Sequence, residues 1–324
     1  PRTGEGADPL CPDGAALSNG AYRLLITASG VSRAGCGAMI PYRSARAPWE
    51  NAPGIALWYA SGGERCALLP AENGERALRW RFAAGEARLS GECRGMYWEM
   101  CCTVSRTQPG EVRRVTLRRA NPMPGELYLG FEPVLLPGRD YAAHPAFARL
   151  GLYTSVKDGV LTVFRARRGA QRAQYLALAC SHPAEFSSDF RHFPARGGMG
   201  AFRENTGWQN EPYIAACVSL PEESVCEITF ALCTAGDAET AEQGARAMLG
   251  ETDGFAMADA AAAVWGMDAH ESAAAMEYLR ALTFPRRCAE SRGLPGAARN
   301  ALWRLGISGD LPVAVFDCGE TGTP

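Results

Sequence analysis

A loop around Trp208 carries the residue types that recognise sugars. Trp208 is followed by Gln209 and lies in residues 204–211, a stretch rich in carboxylates and amides. A pyranose ring has an apolar face that packs on an aromatic ring and a rim of hydroxyls that hydrogen-bond to planar polar groups. Trp49, next to a glutamate and an asparagine, offers the same combination. We therefore predict carbohydrate contacts at Trp208, Gln209 and Trp49; the alternative is that each tryptophan only packs its loop onto the protein.

A second stretch, residues 187–192, places serine, aspartate, arginine and histidine close together. Members of a catalytic triad meet in space rather than in a run, and no G-x-S-x-G motif is present, so we predict no hydrolase triad. We interpret residues 193–207 as a loop, and we predict that Arg191 and His192 contact substrate or a partner at its edge. No H-x-x-x-H spacing joins the histidines, so we expect no zinc site.

Short strand-like segments must position these loops. Segments such as 21–30, 54–60 and 111–119 recur about every ten residues as far as residue 235, bounded by Gly, Pro, Asn or Ser. Lys157-Asp158-Gly159 predicts a hairpin turn. This rhythm predicts an antiparallel β-sandwich rather than strand–helix–strand units.

The pattern changes near residue 236. Alanine-rich segments with helical spacing of Ala, Met and Leu follow, and Asp237 is the expected cap of the first helix. We predict four parts in the chain. They are an N-terminal extension over 1–16, a large β domain over 17–235, a helical linker over 236–284 and a junction segment over 285–324.

Composition narrows the classes of function. The formal net charge of −2 and the pI of about 6.2 give no electrostatic support for a nucleic-acid or acidic-membrane partner. No apolar run approaches the roughly 20 residues that cross a bilayer, and the first residues lack the apolar core of a signal peptide, so we expect a cytoplasmic protein.

The 12 cysteines form no C-x-x-C pair. Cys101 and Cys102 are adjacent, so on a strand they point to opposite faces and do not easily share a metal. We interpret the cysteines as small buried hydrophobic residues; the alternative is a metal or redox site.

Four segments together resemble one family. Residues 301–312, ALWRLGISGDLP, are similar to the junction segment of the family 94 glycoside phosphorylases, formerly glycosyltransferase family 36, and of cyclic β-1,2-glucan synthase. Residues 17–27 resemble the family's opening motif, and residues 114–117, RVTL, resemble one of its strands. His144-Pro145-Ala146-Phe147 resembles a motif of the glucan-synthase branch.

The resemblance implies a large antiparallel β-supersandwich of the galactose mutarotase type, followed by a short α-helical linker and an (α/α)6 barrel. It implies inverting phosphorolysis, in which an acid in the barrel protonates the glycosidic oxygen while inorganic phosphate, the co-substrate, attacks the anomeric carbon. No residue of this chain matches that acid, so no catalytic residue is carried over. Asp310 is interpreted as a cap or turn residue. No cofactor or metal is expected.

The predicted function is that of a carbohydrate-binding and assembly module for β-glucan oligosaccharides, without turnover of its own. The residues predicted to carry it are Trp208, Gln209, Arg191, His192 and Trp49. Its expected partners are the (α/α)6 catalytic domain or a second protomer of a homodimer, with no nucleic acid and no membrane. Two alternatives stay open: a structural or dimerisation domain that binds no sugar, and a truncated part of an active inverting phosphorylase.

Overall fold

The computed structural model describes residues 2–6, 13–44, 53–69, 78–83, 85–165, 174–189, 207, 212–254, 268 and 271. Within these ranges most residues lie in strands. The strands are β1 (Arg2–Glu5), β2 (Gly14–Ser18), β3 (Tyr22–Thr27), β4 (Ser32–Cys36), β5 (Met39–Tyr42), β6 (Ile55–Ser61), β7 (Glu64–Leu69), β8 (Arg79–Ala83), β9 (Glu86–Cys93), β10 (Met96–Val104), β11 (Gly110–Arg119), β12 (Gly125–Phe131), β13 (Pro133–Pro137), β14 (Leu152–Lys157), β15 (Val160–Arg165), β16 (Gln174–Cys180), β17 (Glu185–Asp189), β18 (Pro212–Leu220) and β19 (Val225–Ala235). The helices are α1 (Gly138–Ala143), a 3₁₀ helix (Pro145–Arg149) and α2 (Ala238–Met248).

The described strands form three sheets, and every strand pair in them is antiparallel. The large sheet has nine strands in the order β1-β8-β9-β10-β11-β19-β16-β15-β14. The β18 sheet has the order β17-β18-β12-β6-β7, and the β3 sheet has the order β13-β5-β4-β3-β2. The mainly β, antiparallel architecture that the sequence predicts is therefore confirmed.

Three hairpins turn through two residues in the left-handed backbone region. The turn residues are Gly62-Gly63, Arg94-Gly95 and Asp158-Gly159, with φ angles between +49° and +77°. Two consecutive positive φ angles make a type I′ turn, whose twist matches that of the flanking strands. The third turn joins β14 to β15 and confirms the hairpin predicted at Lys157-Asp158-Gly159.

The main core draws on all three sheets. Leu24, Leu57 and Phe230, one from each sheet, belong to a single buried cluster and are 1% exposed or less. Strand β9 shows how the sequence builds this core, because every second residue of it is buried. This is the period-two pattern of a strand with one face on a core.

Most cysteines of the described residues are buried side chains, as predicted. Cys102 belongs to the main core and Cys101 lies outside that cluster, beside Glu86, so the adjacent pair does point to opposite faces. Burial raises the pKa of the Cys102 thiol to about 12 and that of Cys101 to about 11, so both stay protonated at neutral pH. A disulfide between Cys66 and Cys93, on β7 and β9, is a pairing that the sequence analysis did not predict.

Helix α2 covers part of the outer face of the large sheet. Asp237 caps its start by accepting a hydrogen bond from the backbone N–H of Thr240 at 2.8 Å, which confirms the expected cap. Its small residues Ala241 and Ala245, with Met248, pack on alanines of β16 and β19. Beyond α2, Arg114 donates to the carbonyl oxygen of Glu251 at 2.6 Å, which holds the chain on the large sheet.

No helix within the described ranges has both the length and the apolar character needed to span a membrane.

Candidate functional site

A cleft of about 290 Å³ lies where the β3 sheet, the α1 region and the start of β18 meet. Charged side chains of Arg43, Glu132 and Arg149 line it on one side. Apolar surface from Val134, Tyr141, Pro145 and Pro212 lines the rest. A concave site with an apolar wall and a few converging polar groups is the common form of a small-ligand site.

Glu132 is the centre of the polar side. Its Oε2 atom lies 3.0 Å from Arg43 Nη1 and 3.5 Å from Arg149 Nη2. The Glu132 side chain is only 12% exposed, whereas those of Arg43 and Arg149 are 33% and 41% exposed. The partly exposed guanidinium groups present planar, forked donors to a ligand, and the carboxylate supplies acceptors.

A bulge in β13 shapes the apolar wall. The register of β13 with β5 shifts between Pro133 and Leu136, and Leu135 in the bulge has a φ of +50°, which is unusual for a non-glycine residue. Arg165 fixes the wall because its guanidinium donates to the carbonyl oxygens of Val134, at 2.7 Å, and of Ala148 in the 3₁₀ helix. The cleft is thus formed by paired strands and by backbone segments that hydrogen bonds from Arg165 hold in place.

A buried polar network holds Tyr42, the residue before Arg43. The Tyr42 hydroxyl donates to the Glu111 carboxylate at 3.1 Å. Arg113 donates to Glu111 through Nε, at 3.1 Å, and through Nη2, at 3.0 Å, and Nη2 also donates to Ser32 Oγ at 3.0 Å. The side chains of Glu111 and Arg113 are at most 1% exposed. This network joins the large sheet to β5 and thereby fixes the backbone that carries Arg43 into the cleft.

Protonation states in the network follow from burial and charge. Burial raises the pKa of the Tyr42 hydroxyl and the Glu111 carboxylate raises it further, so Tyr42 keeps its proton and donates it. Burial by itself lowers the pKa of Arg113. The interactions with Glu111, Cys102 and Tyr42 raise it by more, so the pKa of Arg113 is raised overall. The guanidinium therefore stays charged at any pH at which the protein is folded.

All five residues predicted to bind sugar lie outside the described residues: Trp49, Arg191, His192, Trp208 and Gln209. The residues that flank them are described. Ser44, one residue after Arg43, precedes the segment with Trp49. Asp189 and Pro212 precede and follow the segment with the other four, and they are paired across β17 and β18. Both segments therefore adjoin residues of the cleft or their neighbours.

Gly207 is the described residue inside the second segment. Its carbonyl oxygen accepts from the backbone N–H of Thr154 at 3.2 Å, and its own N–H donates to Thr154 Oγ1 at 2.6 Å. Thr154 lies on β14, one of the two outermost strands of the large sheet among the described residues. The chain is thus tied to β14 immediately before Trp208.

The His144–Phe147 motif forms the end of α1 and the 3₁₀ helix. Pro145 and Ala146 line the cleft, while the rings of His144 and Phe147 contact each other with centroids 5.5 Å apart.

Sequence reasoning missed the charged residues of the cleft. Arg43, Glu132 and Arg149 are separated by 89 and 17 positions, so no local motif connects them. One signal was present: Glu132 interrupts the apolar run 127–136, where a charge must find a partner. Ser187 and Ser188, considered for a triad and rejected, lie buried on β17. Within the described ranges, no three His, Cys, Asp or Glu residues are grouped as a metal would require.

The described strands form the large antiparallel sheets of a supersandwich domain. A bacterial glucoamylase complexed with acarbose is similar in structure, with a TM-score of 0.51 and 11% identity over 77% of this chain and 38% of the glucoamylase. The sequence matches the profile "Glycosyl hydrolase 94, supersandwich domain" over residues 2–250. The chain therefore belongs to the glycosyl hydrolase 94 supersandwich family, as the motifs predicted.

Two further structures are more distant. A putative kojibiose phosphorylase from the human microbiome has a TM-score of 0.38 and 8% identity over 85% of this chain and 31% of its own. A putative aldose 1-epimerase from Escherichia coli K12 has a TM-score of 0.39 and 10% identity over 72% of this chain and 99% of its own. No curated protein sequence matches the chain. The chain spans 38% and 31% of the glucoamylase and the kojibiose phosphorylase.

Proposed function

We propose that this domain binds the end of a β-glucan oligosaccharide at the Arg43–Glu132–Arg149 cleft and presents it to a helical catalytic domain. One observation carries the proposal: the cleft is lined by Arg43 and Pro212, which lie six positions before Trp49 and three positions after Gln209 in the chain. Loops on a rigid sandwich are where binding groups concentrate. Family membership supports the same reading.

The chemistry of the cleft suits a neutral sugar. Guanidinium and carboxylate groups form paired hydrogen bonds with neighbouring hydroxyls, and the Tyr141 and proline surfaces suit the apolar face of a pyranose. A volume of about 290 Å³ is at the lower end of small-ligand sites, which suits the terminal residues of an oligosaccharide rather than a long stretch of chain. In this proposal inorganic phosphate is a co-substrate of the partner domain. We propose a cytoplasmic location for the domain, where the free cysteines of the described residues stay reduced and where the Cys66–Cys93 disulfide is open to reduction.

Calorimetric titration with β-1,2-gluco-oligosaccharides tests the proposal, with cello-oligosaccharides for comparison. We expect saturable heat with the first and at least about tenfold weaker binding in Arg43→Ala and Glu132→Gln, because each loses charge-assisted hydrogen bonds. Arg79→Ala is the matched control, since Arg79 is 61% exposed on β8 and is not among the residues that line the cleft. Binding that is unchanged in Arg43→Ala, or equally weak in Arg79→Ala, would contradict a site in the cleft.

An alternative function, that of an association domain without sugar binding, has its own supporting observation. Four large apolar side chains are exposed within ten residues: Phe147, Leu150, Tyr153 and Val156. Tyr153 and Val156 lie three positions apart on β14 and so face opposite sides of the strand, which leaves Phe147, Leu150 and Tyr153 as the exposed apolar residues that favour an interaction surface. No heat with either glucan, together with loss of dimers in Phe147→Ser by sedimentation, would favour this alternative. Release of glucose 1-phosphate by the chain alone would instead favour the third reading, a part of an active phosphorylase.

A further inference from the structure

A second cavity, of about 480 Å³, lies on the outer face of the large sheet, where β9, β10, β11 and β19 are neighbours. One row of directly paired residues crosses these four strands: Glu92, Tyr97, Arg118 and Val225. All four residues line the cavity. The cavity shares no lining residue with the Arg43–Glu132–Arg149 cleft, so it is a separate site.

The aromatic ring of Tyr97 lies between two opposite charges of this row. Glu92 and Arg118 are both exposed, and within the described ranges neither side chain forms an ion pair or a hydrogen bond. Neighbouring strands lie about 4.8 Å apart, so the two residues, which are two strands apart, are separated by about 10 Å with Tyr97 between them. The carboxylate and the guanidinium are therefore both available to a ligand in the cavity.

Buried Arg119 fixes the far wall of the cavity. Its Nη1 donates to the carbonyl oxygen of Met123 at 2.7 Å, and its Nη2 donates to that of Glu223 at 2.8 Å. Its backbone N–H donates to the carbonyl oxygen of Ser224 at 2.8 Å. These bonds join the turn after β11 to the turn before β19, and Ala120 and Ser224 of these turns line the cavity. The wall is thus held in shape by the protein itself.

We propose that this cavity is a second carbohydrate site, which binds a pyranose of a glucan at Tyr97 between Glu92 and Arg118. Charge decides the class of ligand. The two exposed charges are opposite, so an anion would be repelled by Glu92 and a cation by Arg118, whereas a sugar hydroxyl donates to the carboxylate and accepts from the guanidinium. Tyr97 and Val225 supply the apolar surface on which the C–H face of a pyranose packs. The site goes beyond the proposed function because it does not adjoin the cleft.

Calorimetric titration of the full chain carrying Arg43→Ala tests the site, because this variant weakens the cleft and leaves the second cavity unchanged. The probes are β-1,2-gluco-oligosaccharides and cello-oligosaccharides. We expect saturable binding of at least one of them, which becomes about tenfold weaker or more when Tyr97→Ala or Arg118→Ala is added. Arg79→Ala is the matched control for Arg118→Ala, since both arginines are exposed on the same face of the large sheet and Arg79 does not line this cavity. Circular dichroism checks that each variant is folded.

The outcomes separate this site from the cleft. No binding of either probe to the Arg43→Ala variant, or binding that Tyr97→Ala and Arg118→Ala leave unchanged, would overturn the second site while the proposed function stands. Binding that Arg43→Ala does not weaken but Tyr97→Ala does would support the second site and contradict the proposed function. Excess inorganic phosphate is the last probe, and its displacement of the sugar from the Arg43→Ala variant would overturn a site for a neutral ligand.

Discussion

Replacement of Arg113 by methionine is expected to lower the free energy of unfolding by about 3–5 kcal/mol. The variant keeps the apolar stem but leaves Glu111 as a buried carboxylate with only the Tyr42 hydroxyl as a partner. Breaking a buried ion pair on one side costs this much because the remaining charge has lost both water and its counter-ion. Urea denaturation followed by tryptophan fluorescence and circular dichroism measures the loss.

The double variant Arg113→Met with Glu111→Leu separates charge from packing. Without either charge, no unpaired charge is left in the interior and the new side chains are of similar size, so we expect most of the lost stability to return although the Tyr42 hydroxyl loses its acceptor. Arg81→Met is the surface control, since Arg81 is exposed on β8 of the same large sheet, and we expect a change of no more than about 0.5 kcal/mol. An Arg113→Met variant as stable as Arg81→Met would contradict the role given to the buried pair.

Gly54→Ala is the second substitution with a large expected effect, a loss of about 3 kcal/mol or more. Gly54 precedes β6 and has a φ of +83°, which alone costs a non-glycine residue about 1–2 kcal/mol. A Cβ atom there would also lie 2.0 Å from the carbonyl oxygen of Ser32, so one of the two backbones must move. Chemical denaturation measures the loss.

Gly62→Ala is the control that isolates the contact from the backbone angle. Gly62 also has a positive φ, +59°, but a Cβ atom there meets nothing within 4 Å. We expect it to lose only the backbone cost, about 1 kcal/mol. Equal losses at the two positions would mean that the β4–β6 contact adjusts freely, which would contradict the close packing seen at Ser32.

The sequence predicted the class of fold because long strands carry a clear signal. Strand β6 is a run of apolar residues and strand β11 carries valines and a threonine between charged residues, and the sequence predicts both as strands. Strand β4, SRAGC, and strand β2, GAALS, consist of small residues with little strand preference and were missed. Their conformation is imposed by pairing with β3, which is a tertiary effect.

The residues of the candidate site also differ in how far the sequence alone could predict them. Aromatic and amide residues in loops, such as Trp208 and Gln209, could be selected from the sequence, because their chemistry is visible locally. The cleft could not, because Glu132 and its two arginines come from distant positions that only the sheet order brings together. The Arg113–Glu111 pair could not be predicted for a related reason. In the sequence, β11 has the alternation of charged and apolar residues that is typical of a strand with one exposed face, whereas in the structure Arg113 and Glu111 are both buried.

The bonds between Gly207 and Thr154 have a consequence for self-association. An outermost strand offers unpaired N–H and C=O groups on which a second chain can add and begin a fibril. The carbonyl oxygen of Gly207 accepts a hydrogen bond from the backbone N–H of Thr154, in the middle of β14. Lys157, the single lysine of the sequence, places a charge at the end of that strand. Proteolytic cleavage that released Gly207 from β14 would therefore make the protein prone to aggregate. We expect light scattering to rise at a lower temperature than that at which the circular dichroism signal of the fold is lost.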